Sequence, residues 1–472
     1  MRTGVLLEEL INIARTPKTD FALSMRMTPS GLSKILTGKR LPLWREKRMF
    51  SRQAANYFSE IIYRHDCYRQ FEKLFPILYD FNSKYELEMF LAYAIEYTLE
   101  KDHAEENDEY LDYPTREAAS FLGEKTTLNM FCIIVSDYII SNKDALLEVY
   151  STLPLFNRRN SGILGRAKML SSPKMGGVSL NYFFDMASFE ASCHEYNMGL
   201  LFSISNLQKH VDLNLWKVKE AIGSTFLLLK GQCLLIFSTQ ISGTPLMTFI
   251  TLKSHLDVFF NALMRKEAVK ISYNKSEAIA ALEADPSFID SLINRRINAV
   301  YNFISIGYMI EKEELKEIKN KEAIKKAILK LFNEILTKQT TFFVTLDAMM
   351  NFCATGKAIV PLFGAIDMSP DQRIPYLQRF NSFIGKKDSS KMKLINSELP
   401  KVALLCLQGL TIIYLIDSEY SSEKIHYFET DEINQILEHE ITNGNIKMLD
   451  FSPDLWNTYI DELSKDIYTP TF

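Results

Sequence analysis

The chain has 472 residues, 47% of them hydrophobic and 24% charged, with a formal net charge of −4. That composition is ordinary for a soluble globular protein, and the length suits roughly two to four domains. It argues against a disulfide framework, because the six cysteines are scattered, and against a membrane span, because the best candidate, Val402–Ile416, is short and contains Gln408 and Gly409.

No apolar leader is read at the start, since Leu6-Leu7 runs straight into Glu8-Glu9. The expectation is therefore a cytoplasmic protein in which Cys67, Cys132, Cys193, Cys233, Cys353 and Cys406 are reduced and mostly buried. The small net charge hides an asymmetry. Residues 1–65 hold 12 Lys/Arg against 5 Asp/Glu, and residues 66–150 hold 7 against 18. A basic head on an acidic neck suits a polyanion-binding module confined to one end of the chain.

In chain order, Leu6, Leu7, Leu10, Ile11 and Ala14 follow helical spacing and predict a first helix over residues 4–15. A short second helix is expected from Asp20 to Met25, with Phe21 and Ala22 inward. Thr28 then stands as a cap before Pro29 at the first helical position. The third helix, Pro29–Leu36, places Leu32, Ile35 and Leu36 on one apolar face and stops at Gly38, which takes the left-handed cap conformation without penalty.

These residues, in the string FALSMRMTPSGLSKILTGKRLP, resemble the lambda-repressor-like (Cro-type, XRE) helix-turn-helix family over roughly residues 4–64. The family's tight turn usually has glycine four residues after the small alanine; here Arg26 stands there. The resemblance implies a module that binds double-stranded DNA, with the third helix entering the major groove. Ser30, Ser33 and Lys34 would reach base edges, and Pro29 could touch only a thymine methyl. Thr28, Thr37, Lys39 and Arg40 would sit beside phosphates. Arg45, Lys47, Arg48 and Arg52 are expected to continue the basic surface.

A helix follows from Arg45 to Arg64, and another over Glu86–Glu100 with Leu87, Phe90, Leu91, Ala94 and Ile95 on one side. Lys101–Asp112 reads as an acidic flexible stretch, and a further helical region runs from Pro114 towards residue 150. Residues 66–150 are thus expected to be a helical connector with a possible part in dimerisation. Residues 155–180 read as looping, from Gly162, Gly165, Pro173, Gly176 and Gly177. Strands are expected at Gly199–Ser205, Thr225–Thr239, Leu246–Thr251, Ala268–Tyr273, Thr341–Leu346, Val402–Asp417 and Lys424–Phe428. A strong helical pattern covers Glu311–Lys338, and Ser369-Pro370-Asp371 and Ser452-Pro453-Asp454 read as helix starts.

The predicted architecture is multidomain. An all-α helix-turn-helix (1–65) and helical connector (66–150) precede a mixed α/β body (151–472), which divides into two lobes (151–310 and 311–472) if an internal echo between Leu229–Ile250 and Leu407–Phe428 is a true repeat. Catalytic patterns are absent: there is no GxSxG, HExxH or GxGxxG, and Thr355-Gly356-Lys357 lacks the first phosphate-loop glycine. Cys193-His194-Glu195 places reactive types side by side, where adjacent residues diverge on any regular element. No cofactor, metal or enzymatic activity is expected. The sequence reads as a transcription regulator of the repressor type, a homodimer whose body senses a small molecule, a peptide or a protein. An enzyme or defence effector carrying the module for autoregulation or targeting, and a scaffold whose N-terminal helices bind protein, are the alternative readings.

Overall fold

The computed structural model describes every residue except 66–69, 72, 108–117, 143, 155–161, 170–176, 194–197, 221, 241, 317, 319–321, 338–339, 387–390, 417–422, 450–452 and 467–472. The chain forms two compact units, residues 1–181 with 222–266, and residues 182–221 with 267–472.

The first unit opens with α1 (Thr3–Ala14), α2 (Lys18–Ser24), α3 (Pro29–Leu36) and α4 (Lys47–Arg64). Their inward residues, among them Leu7, Leu10, Phe21, Leu32, Ile35 and Phe58, are buried in one core. The Phe21 ring lies 4.6 Å from that of Phe58. Burying such a side chain contributes about 1.5–3 kcal/mol. Gly4 has no room for a side chain, since a Cβ there would stand 2.3 Å from the Leu36 carbonyl oxygen, so α1 packs tightly on the end of α3.

After β1 (Ile77–Leu78) comes α5 (Lys84–Asn107), which packs along α4 and caps α1, where the Thr3 N–H donates to the buried Asp102 at 2.8 Å. A carboxylate at a helix N-terminus is favourably placed. The segment read as a helical connector carries strands as well: β2 (Ala118–Leu122), α6 (Glu124–Ser141) and β3 (Leu147–Ser151). Residue 150, where the connector was expected to end, falls inside this unit.

Beyond β4 (Lys168–Met169), the chain runs through β5 (Val178–Phe184), α7 (Met186–Cys193), α8 (Gly199–Gln208) and β6 (Asp212–Val218). Gly199–Ser205, expected as a strand, is helical: Leu200, Leu201, Ile204, Ser205 and Gln208 are buried at helical spacing. Next come β7 (Thr225–Leu229), β8 (Cys233–Thr239), β9 (Pro245–Ile250), α9 (Lys253–Met264) and β10 (Ala268–Lys270). Within the first unit the strands lie in the order β3-β7-β8-β9-β2, every neighbouring pair antiparallel.

The second unit continues with β11 (Ser272–Tyr273), α10 (Lys275–Ala284), α11 (Ser287–Ile293), β12 (Ile297–Asn302), α12 (Glu322–Thr337), β13 (Thr341–Thr345) and α13 (Leu346–Thr355). A hairpin of β14 (Lys357–Val360) and β15 (Gly364–Asp367) precedes α14 (Pro370–Lys386) and β16 (Met392–Ile395). The chain then forms β17 (Val402–Leu407), β18 (Leu410–Ile416), β19 (Glu423–Phe428), α15 (Glu432–Thr442), β20 (Met448–Leu449) and α16 (Pro453–Asp466). The sheet order is β11-β19-β18-β17-β12-β13-β16-β20, with parallel pairing only at β12·β13 and β13·β16.

Two consecutive stretches of the chain, β2 to β10 and β11 to β20, share a plan; they are not the two compact units, since β6 and β10 of the first stretch fall among the residues of the second unit. In each, a first strand (β2 or β11) leads through helix to a second (β3 or β12), and a later three-strand meander (β7-β8-β9 or β17-β18-β19) inserts between them in the same spatial order. A helix follows each meander, and β10 pairs antiparallel with β6 as β20 does with β16. The echo between Leu229–Ile250 and Leu407–Phe428 is therefore one part of a longer correspondence, whose copies run from β2 to β10 and from β11 to β20.

Candidate nucleic-acid interface

Helix α2 ends in a turn closed by two backbone bonds, from Arg26 N–H to the Leu23 oxygen at 2.9 Å and from Met27 N–H to the Ala22 oxygen at 2.8 Å. This is the Schellman arrangement, which needs a left-handed residue at its corner. Arg26 occupies it, with φ 53°. An L-residue there costs roughly 1–2 kcal/mol, which the buried Phe21 and Ala22 on one side of the turn and Leu32 on the other offset.

The chain then enters α3. The Thr28 hydroxyl accepts from the Gly31 N–H at 3.1 Å, and Pro29 fills the first helical position. The helix closes with the same motif, Lys39 N–H donating to the Lys34 oxygen at 2.9 Å around Gly38 at φ 66°. Leu32 and Ile35 anchor its inner face. Thr28, Pro29, Ser30, Ser33, Lys34, Thr37, Lys39 and Arg40 are all exposed. Folding therefore gathers all eight residues singled out from sequence on one short helix and its two ends.

The wider basic surface is smaller than the sequence implied. Lys47 pairs with Glu100, and Arg48 with Glu96 at 3.2 Å, so α5 returns acidic charge to the head. Arg2 pairs with Glu105 at 2.8 Å, Lys18 with Glu8 at 2.5 Å and Arg64 with Glu60 at 2.6 Å. Arg45 is 3.9 Å from Glu46. Among the described residues, Arg15, Arg26, Lys34, Lys39, Arg40 and Arg52 are exposed and in no ion pair. Of the four bases expected to extend the surface beyond Arg40, Arg52 remains exposed and without an ion pair, whereas Lys47 is held in the interface of α4 with α5.

Other sequence candidates resolve differently. Gly356 is the left-handed end of α13 and Lys357 begins β14, so Thr355-Gly356-Lys357 ends a helix where a phosphate loop would open one. Cys193 is buried, and burial pushes its thiol up to about 12; His194, Glu195 and Cys67 lie outside the described residues. Burial likewise raises the thiols of Cys132, Cys233 and Cys406, which makes them poor nucleophiles. Among the described residues no group of three or more His, Cys, Asp or Glu side chains could hold a metal ion, and no helix is long and apolar enough to cross a membrane.

One pair that sequence reasoning missed is Ser272 with His426, opposite each other on β11 and β19 with Oγ and Nδ1 2.7 Å apart. Both are fully buried, and the serine oxygen already accepts from the Leu215 N–H at 2.7 Å. Burial, with a smaller push from Lys424, lowers the His426 pKa to about 3. The imidazole is a weak base with no open position beside it, so the pair knits strands together and has no room for a substrate. No local signal announces it, because 154 positions separate the two residues.

No protein-family model matches the chain, and no curated protein matches it.

Proposed function

We propose that the chain is a sequence-specific DNA-binding transcription regulator, with α2 and α3 as a helix-turn-helix and α3 as the reading element. The observation that carries this reading is the left-handed turn at Arg26. It shapes a segment resembling the lambda-repressor-like modules, and the helix it leads into is anchored inside by Leu32 and Ile35 and exposed at every residue expected to touch DNA. Ser30, Ser33 and Lys34 read base edges; Thr28, Thr37, Lys39 and Arg40 set register on phosphates. The active species is a homodimer, because one short helix reads too few base pairs for selectivity and two address half-sites about 34 Å apart or a multiple of that. The test is binding of the full chain to duplex DNA from upstream of its own gene, compared with random duplex, together with sedimentation of free and bound protein. Equal affinity for both duplexes overturns the sequence-specific reading, and a monomer in both states overturns the dimer.

A further inference from the structure

A cavity of about 720 Å³ lies within the first unit, between α5, α6 and the strands β2, β8 and β9. That volume is typical of small-molecule sites. Its walls carry the rings of Trp44, Tyr97, Phe121, Tyr138 and Phe249, a lining that suits a flat apolar body.

The polar end of the cavity is asymmetric. The Asp137 carboxylate is fully engaged: Oδ1 takes the Met1 ammonium and the Ser141 hydroxyl, and Oδ2 takes the Tyr97 hydroxyl at 3.0 Å and Lys101 Nζ at 2.8 Å. Lys101 has three N–H donors and, among the described residues, only Asp137 as its side-chain ion-pair partner. Burial works against its charge, but the Asp137 contact outweighs that, and the ammonium stays protonated. The wall also carries Glu100, whose carboxylate is held by Lys47, so this end sets the Lys101 charge and donors beside two carboxylates that already have cationic partners.

The second unit supplies an internal comparison. In the ungapped match of Leu229–Ile250 with Leu407–Phe428, Phe249 corresponds to Tyr427. The Tyr427 ring lies edge-on to Tyr273 and Phe288, and its hydroxyl donates to the Leu362 carbonyl at 2.8 Å, in the turn of the β14–β15 hairpin. The chain itself thus covers that face of the meander in the second unit. In the first unit, Phe249 forms part of the cavity wall.

We propose that this cavity is an effector site that takes a flat aromatic monoanion, its rings against the aromatic walls and its carboxylate on Lys101. The regulatory consequence rests on the DNA-binding reading above; the binding does not. Trp44, in the cavity wall, begins the short helical turn Trp44–Glu46 that leads into α4, eight positions after the end of α3. Its ring lies 3.5 Å from Lys47 Nζ and 5.5 Å from the His103 ring. Lys47 pairs with Glu100, and His103 Nε2 is 2.8 Å from the Pro42 oxygen. The wall residues that a ligand would touch are those that fasten the segment after α3 to α5.

The probe is naphthoate, with neutral naphthamide as its isostere, and the full chain is titrated by calorimetry and followed by thermal shift. Naphthoate should bind saturably and more tightly than the amide. Lys101→Gln should weaken naphthoate at least about tenfold and leave the amide within about twofold, because only the charged contact is lost. Ala104→Trp, at an exposed wall position on α5, should abolish both. The wild-type complex should also show altered affinity for the upstream duplex, and the duplex should shift naphthoate affinity by the same factor. Absence of saturable naphthoate binding up to about 1 mM overturns the proposal, as does unchanged binding in Ala104→Trp. Equal response of naphthoate and naphthamide to Lys101→Gln overturns the anion assignment. If naphthoate binds as expected while the chain binds no DNA, the cavity stands and the regulator reading falls.

Discussion

Removing the cations of the head one at a time separates those that can meet phosphate from those already spent within the fold. Of the twelve bases in residues 1–65, six are in ion pairs and six are exposed without one. Each phosphate contact contributes about 0.9 to the slope of log affinity against log salt, so the five other than Lys34, which faces bases, would give at most about 4.5 per protomer. Between about 50 and 200 mM salt that amounts to roughly a five-hundredfold loss, and a single contact to about 3.5-fold. Lys39→Ala or Arg40→Ala should lower the slope by about one and weaken upstream and random duplexes alike. Lys34→Ala should cost roughly 1–3 kcal/mol on the specific site and much less on random DNA, since it removes a base contact. Lys47→Ala and Arg48→Ala should leave the slope nearly unchanged, because Glu100 and Glu96 hold those side chains. Fluorescence anisotropy over a salt series on both duplexes measures all five variants. A flat salt response, or a slope that drops as much for Lys47→Ala as for Lys39→Ala, would refute the reasoning.

Three stability measurements probe the fold that carries this surface. Arg26→Gly should raise the urea midpoint by the equivalent of about 0.5–1 kcal/mol, because glycine relieves the left-handed strain while losing more chain entropy; a lower midpoint would place Arg26 outside that conformation. His426 titrates near pH 3 folded and 6.5 unfolded, so the unfolded chain binds the extra proton between those values. Its contribution is complete above pH 6.5 and is lost as pH falls towards 3, at up to about 1.4 kcal/mol per pH unit, and urea unfolding of His426→Gln should lack that part of the acid slope. Tyr308 is fully buried at φ 77° with a hydroxyl that finds no partner among the described residues; Tyr308→Phe should therefore be neutral or raise the melting temperature, and a clear fall would reveal a bond to that hydroxyl.

What the sequence made legible is what local chemistry determines. Thr28-Pro29 and Gly38 bracket α3 at its observed ends, because a cap, a proline at the first position and a left-handed stop each act within a few residues. Pro370 and Pro453 stand at the first positions of α14 and α16 for the same reason. Strands β2, β3, β5, β6 and β12 were among those missed; each is five to seven residues long, and their identity depends on partners far along the chain. The strand expected at Gly199–Ser205 shows the opposite failure: a short apolar run suits a strand or a buried helix equally, and here Leu200, Leu201, Ile204 and Gln208 turn inward at helical spacing. The head's electrostatics were misjudged through distance as well, since Lys47 and Glu100 lie 53 positions apart and Arg48 and Glu96 48. Counting charge by segment treats head and neck as separate bodies, whereas α5 packs directly on α4.

The shared plan of the two stretches explains why a weak sequence echo could mark a long structural correspondence. A meander needs apolar strands and tight turns, and Gly231 at φ 72° and Gly409 at φ 68° supply the left-handed turn residue in both copies. Those requirements restrict the strands while leaving their outer faces free to diverge. The first turn already differs: Leu229 pairs with Cys233 across three residues, and Leu407 with Leu410 across two. The larger divergence lies between the parallel strands of the second copy, where the β14–β15 hairpin is inserted after α13 and reaches Tyr427. Between β5 and β6 the first copy has α7 and α8 and, among the described residues, no such hairpin. The face that the second copy closes with its own backbone is thus left beside a cavity in the first, walled by helices that also brace the head.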